Sequence, residues 1–130
     1  MRMDRLTLKA QEAFTEAQRI AERLGHQQVD EVHMALSLLT QHEGTVPALL
    51  KKMGVSVEAL HTQLKEVARK IPEVSGPGAV GVLYASAGIV ALLGRAEKET
   101  ESLKDEYVST EHLFLALLSE KGGLHPLLQK

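Results

Sequence analysis

The 130-residue chain has no cysteine and no tryptophan, and its only aromatics are two Phe and two Tyr. Without thiols it can form neither disulfides nor thiolate metal sites, which suits a cytoplasmic setting. With so few aromatic rings the core must be aliphatic, and such a core suits helix-on-helix packing better than a sheet sandwich. No stretch reaches 18 apolar residues, and the start Met1-Arg2-Met3-Asp4-Arg5 lacks the apolar segment of a secretory leader. A membrane span is therefore not expected. A cationic excess is missing too: 15 Lys and Arg face 17 Asp and Glu, for a net charge of −2. That balance offers no footprint for nucleic acid. Opposite charges are interleaved, as in Lys98-Glu99 and Lys104-Asp105, which is the pattern of a solvated surface.

What the sequence does have is 44% hydrophobic residues in a length that suits one domain with its own core. It also has an internal repeat. Val29, His33, Leu36, Leu38, Leu39, Gly44, Pro47, Leu49 and Lys51 recur 79 positions later as Val108, His112, Leu115, Leu117, Leu118, Gly123, Pro126, Leu128 and Lys130. These are nine identities in 23 ungapped positions, and Ala17/Ala96, Glu22/Glu101 and Leu24/Leu103 extend the same offset. The duplication predicts two copies of one helical unit, each burying the apolar face the other exposes, related by a pseudo-two-fold axis. Catalysis is the less expected function, because an active site rarely needs the same element twice.

Apolar residues at Ala10, Ala13, Phe14, Ala17, Ile20, Ala21 and Leu24 follow helical spacing, with Thr7 at the N-cap and Gly25 after the end. Asp30 can cap a second helix through Leu39, Thr45 a short third one containing Pro47, and Ser56 a fourth through Val67. Residues 71–82 (IPEVSGPGAVGV) hold two prolines and three glycines without periodicity, and predict a mobile, ligand-free linker. The second copy opens with a helix across Ser86–Leu103, followed by one capped by Ser109 and a short one after Gly123. A counterpart of the Ser56–Lys70 helix is missing, which predicts a longer parent protein truncated at Lys130. The expected organisation is a single all-α domain, 1–130: repeat one over about 1–70, linker over about 71–83, and repeat two over about 84–130.

Gly76-Pro77-Gly78-Ala79-Val80-Gly81 matches G-x-G-x-x-G literally. Dinucleotide binding needs a strand before that motif and a helix N-terminus after it, and a polar helix precedes it here. The six histidines form no H-E-x-x-H or H-x-x-x-H pair, so no metal site is expected. His33 and His112 each stand three residues after a cap, where a histidine packs and bonds locally. No Ser/His/Asp set, G-x-S-x-G serine or paired carboxylates stand out.

MRMDRLTLKAQEA, LGHQQVDEVHMALSLL, the linker start IPEV and above all LKDEYVSTEHLFLALL resemble the Clp N-terminal repeat domain. The version at the front of ClpB-type disaggregase chaperones is the nearest: repeat one has Val29-Asp30-Glu31-Val32-His33, and only repeat two has Ser-Thr-Glu-His at 109–112. The resemblance covers essentially all 130 residues. It implies an all-α fold of two four-helix repeats, non-catalytic in itself and without a cofactor, tethered to a homohexameric AAA+ ring that uses ATP and Mg. It further implies unfolded or aggregated polypeptides as partners, cooperation of the ring with a DnaK-type chaperone, and a monomeric isolated domain that binds neither nucleic acid nor membrane. The substrate residues it implies are Thr7, Asp105 and Glu111, with Leu93 in an apolar groove on repeat two and Tyr107 at its rim. Arg95, Glu99 and His112 depart from the leucines some relatives carry there. The alternative is an adaptor-docking domain of a ClpC- or ClpA-type protease unfoldase.

Overall fold

A computed structural model describes residues 5–41, 44–71, 84–103 and 105–117. Repeat one contains α1 (Leu8–Arg23), β1 (Gln28–Val29), α2 (Glu31–Thr40), α3 (Thr45–Lys52) and α4 (Val57–Arg69). Repeat two contains β2 (Tyr84–Ala85), α5 (Ala87–Leu103) and α6 (Thr110–Leu117). Residues 72–83 of the predicted linker and the short helix after Gly123 lie outside the described residues.

Helix starts follow the local chemistry. Thr7 Oγ1 accepts the Ala10 N–H at 3.2 Å, Ser56 Oγ that of Ala59 at 3.1 Å and Ser86 Oγ that of Ile89 at 3.0 Å. Each bond satisfies a donor that the first helical turn leaves open. Gly25 (φ 74°) and Gly54 (φ 80°) follow the ends of α1 and α3 in the left-handed conformation that costs glycine least. The third helix departs from expectation: Gly44 holds the cap position without a side-chain bond, and Thr45 is already helical. Space explains the glycine, since a Cβ there would come within 2.8 Å of Gln41 Cβ.

Nine of the ten residues of α2 are buried, Glu31 through Leu39. A helix apolar nearly all round must be enclosed, and α2 packs against all five other helices. Met34, Leu38, Leu64, Ile89, Leu92, Leu113 and Leu117 are fully buried in one continuous core shared by both repeats.

Two short parallel pairings, which the apolar spacing gives no sign of, tie the repeats together. The segment before the first helix of each repeat pairs with the segment before the second helix of the other: Leu6 with Val108, and Ala85 with Val29. Correspondingly, the Thr7 N–H donates to Val108 O at 2.9 Å and the Ser86 N–H to Val29 O at 3.0 Å. The helix ends repeat as well: the His26 N–H bonds Ala21 O at 2.9 Å, and the Asp105 N–H bonds Thr100 O at 2.8 Å. Every one of these pairs is related by the 79-residue offset, and α2 packs directly against its counterpart α6. The repeat in the sequence is a pseudo-two-fold exchange of contacts in space.

Candidate functional site

Four of the five residues named for substrate binding converge where the N-terminal segment meets the loop into α6. The Thr7 N–H donates to Val108 O, the Val108 N–H donates to Arg5 O at 2.7 Å, and Arg5 Nε donates to Glu106 O at 3.1 Å. These bonds hold Thr7 beside residues 105–109, and Glu111 follows in the first turn of α6. Thr7 is half-buried and its hydroxyl already caps α1. Asp105, Glu106, Tyr107 and Glu111 are exposed, Tyr107 to 53%.

Asp105 is positioned by a histidine. The Ser109 N–H donates to His112 Nδ1 at 2.9 Å, so the neutral ring carries its proton on Nε2. That Nε2–H donates to Asp105 Oδ2 at 2.9 Å. The imidazole is nearly enclosed while the Asp105 side chain remains 49% exposed, leaving the carboxylate free to meet N–H donors from outside. An exposed aromatic face beside the positioned Asp105 carboxylate, with Glu106 and Glu111 exposed on the same loop and helix start, can take an apolar or basic polypeptide segment: Tyr107 supplies area, and carboxylates receive backbone or cationic N–H groups.

Leu93 stands apart from this loop. It is half-buried on α5 against the main core, ten residues before the helix end and thus about 15 Å back along the axis. Arg95, two residues on, is level with the far end of α6, where its Nε donates to Ala116 O at 3.3 Å. The Arg95 guanidinium also lies 3.7 Å from the Glu31 carboxylate of repeat one, with both side chains at most 15% exposed. Arg95 is therefore turned inward and spans the two repeats. The position at which the family resemblance implies an apolar groove serves here as an interior ionic contact.

Sequence reasoning placed His112 in a local bond at its helix start, and that bond is present. It missed the link from His112 to Asp105, which depends on how the turn between α5 and α6 folds back onto the ring, and the part of Arg5, which depends on a loop closing onto a segment about 100 residues away. The signal was available only in the repeat: the offset that relates His112 to His33 also relates Asp105 to His26.

Residues 5–130 match the model of the Clp repeat (R) N-terminal domain. The chain is 42% identical over 128 residues to the chaperone protein ClpB of Bacillus cereus, covering 98% of this chain and 15% of that protein. It thus spans about one-seventh of the length of the curated relatives it matches. The N-terminal domain of Hsp104 from Candida albicans superposes with a TM-score of 0.81 at 19% identity, over 95% of this chain and 79% of that one. A ClpV N-domain in complex with a VipB peptide superposes with a TM-score of 0.72 at 23% identity, over 90% of this chain and 69% of that one. At those identities the structural matches speak for the fold.

Proposed function

The chain belongs to the Clp repeat N-terminal domain family, and from that premise we propose that it is the client-engaging N-domain of a ClpB-type AAA+ disaggregase. In this reading its repeats are residues 1–70 and 84–130, joined by a linker. It captures apolar stretches of unfolded or aggregated polypeptide in the cytoplasm and passes them to an ATPase ring elsewhere in the parent protein. The domain itself carries no chemistry; ATP and Mg act in the ring, a homohexamer that cooperates with a DnaK-type chaperone. Each single contact is weak, and six copies on one ring supply the avidity.

The observation that carries this reading is the exposed Tyr107 beside Asp105, whose carboxylate is oriented by the enclosed His112. A shallow apolar contact flanked by fixed acceptors suits an extended polypeptide without selecting one sequence. The peptide held by the ClpV N-domain supports a polypeptide as the ligand class for this fold.

Titrating the isotope-labelled domain with a permanently unfolded model protein tests it. Amides of Thr7, Leu93 and residues 105–111 should shift together and saturably. Shifts confined to residues 30–60, or none at all, overturn the site assignment.

A further inference from the structure

Repeat one has a cleft of about 570 Å³ where the C-terminal halves of α1 and α2 meet α4. Ile20, Leu24 and Leu36 give it an apolar lining, and Arg23, His61 and Lys65 stand around it with Glu16. A volume of this size is typical of sites that enclose a small ligand or a few side chains.

Its charge is unevenly satisfied. Glu16 is shared by two guanidinium groups, Arg23 at 3.1 Å and Arg19 at 3.7 Å. Lys65 is exposed on α4 and has no ion-pair partner among the described residues. An apolar floor beside one unused ammonium and one already neutralised acid complements an apolar side chain with a carboxylate next to it.

The pseudo-symmetry shows that repeat two does not offer this site. At the 79-residue offset, Glu16 becomes Arg95 and Ile20 becomes Glu99. The Arg95 side chain lies across α5 and α6 onto Ala116 O, and Glu99 places a charge where repeat one has its apolar floor.

We propose that this cleft is a second peptide-binding site, separate from the Thr7–Glu111 surface, which takes an apolar side chain adjoining a carboxylate. The carboxylate is the free C-terminus of a polypeptide, because only a C-terminal residue carries its apolar side chain and a carboxylate on the same Cα. The apolar side chain rests on Ile20, Leu24 and Leu36, and Lys65 receives the carboxylate.

Three short peptides test it by amide shifts in the labelled 130-residue protein. One ends in two leucines with a free carboxylate, the second is the same peptide amidated, and the third is amidated with two aspartates following the leucines. The peptide with the free carboxylate should saturably shift Ile20, Leu24, Leu36 and Lys65, and the neutral amide should bind at least fivefold more weakly. Equal or tighter binding of the aspartate peptide overturns the choice of a C-terminal carboxylate. Lys65→Glu should weaken that binding fivefold or more and Lys65→Gln by less, with the α5 and α6 resonances unmoved as a check on folding. Equal binding of the neutral amide, or unchanged affinity in both variants, overturns the proposal. So do shifts confined to residues 105–112, an outcome that leaves the client-binding reading of repeat two intact.

Discussion

His33 donates its Nε2–H to Nδ1 of His26 at 2.8 Å, and this buried pair closes the turn between α1 and α2. The direction follows from the other ring nitrogen: the Asp30 N–H donates to His33 Nδ1 at 2.8 Å, which leaves the proton of the neutral ring on Nε2. Repeat two builds the same device from different parts, because the acceptor at the position equivalent to His26 is Asp105. One copy therefore buries a neutral pair, and the other directs a carboxylate toward solvent. Duplication of one scaffold with a single exchanged acceptor separates a structural turn from a candidate binding loop.

Stability should fall in mild acid through His33. Its pKa is lowered from 6.5 to about 4, by burial first and second by repulsion between the protonated forms of His33 and His26, with Asp30 opposing. Between those values the unfolded protein binds a proton that the folded protein does not, so stability is full above about pH 6.5 and is lost as pH falls toward 4. The loss attributable to His33 is about 3 kcal/mol. His33→Gln keeps an acceptor for the Asp30 N–H, as in a capping box, and removes the titration. Denaturant midpoints measured from pH 4 to pH 7 should be flatter for this variant; equal slopes would refute the assignment.

Asp105 serves both His112 and the proposed client, and two substitutions separate these parts. Asp105→Asn retains a side-chain oxygen for the His112 Nε2–H and should fold normally, while weakening an unfolded client by about 1 kcal/mol, roughly fivefold. Asp105→Ala also strands the enclosed Nε2–H, with a further stability cost of about 1–3 kcal/mol. Isothermal binding and thermal melts of the two variants check this. Wild-type affinity in Asp105→Asn would remove the carboxylate from the site.

Leu93→Ala should lower the melting temperature where Asp105→Asn does not. Leu93 packs against the core while partly exposed, so truncation costs about 1–2 kcal/mol, less than a fully buried leucine would. Client affinity measured well below the melting transition reads out its exposed part, and a drop of twofold or more there is expected from a contact residue.

Gly88 and Gly94 lie on the same helix, yet alanine should act oppositely at the two. A Cβ at Gly88 would approach Asp30 Oδ1 to 2.7 Å and Glu31 Oε1 to 3.1 Å, whereas nothing lies within 4 Å of one at Gly94. Gly94→Ala should stabilise by about 0.5–1 kcal/mol through helix propensity. Gly88→Ala should destabilise by about 1–3 kcal/mol, as overpacking outweighs that gain. Chemical denaturation of both variants measures the difference in sign.

The sequence alone determined the helices, most of their caps and the duplication. These are properties of neighbouring residues: a hydroxyl or carboxylate reaches an N–H within one turn, and an apolar stripe repeats within four residues. Thr7, Asp30 and Ser56 were legible as caps for that reason, as was Gly25 as a helix stop, whereas Ser86 was read as the first helical residue and proves to cap α5. Thr45 was misplaced by one residue because the close approach of Gly44 to Gln41 decides where α3 begins. Tertiary structure alone decided what joins the halves, the Leu6–Val108 and Val29–Ala85 pairings and the inward turn of Arg95 toward Glu31, and within repeat one it decided the cleft that Ile20 and Lys65 share. Pairings of one or two residues carry no periodicity, and a charged side chain looks the same in sequence whether it faces water or spans an interface. The direction in which Asp105 and Lys65 present their charges thus became readable only once the helices within each repeat were packed together.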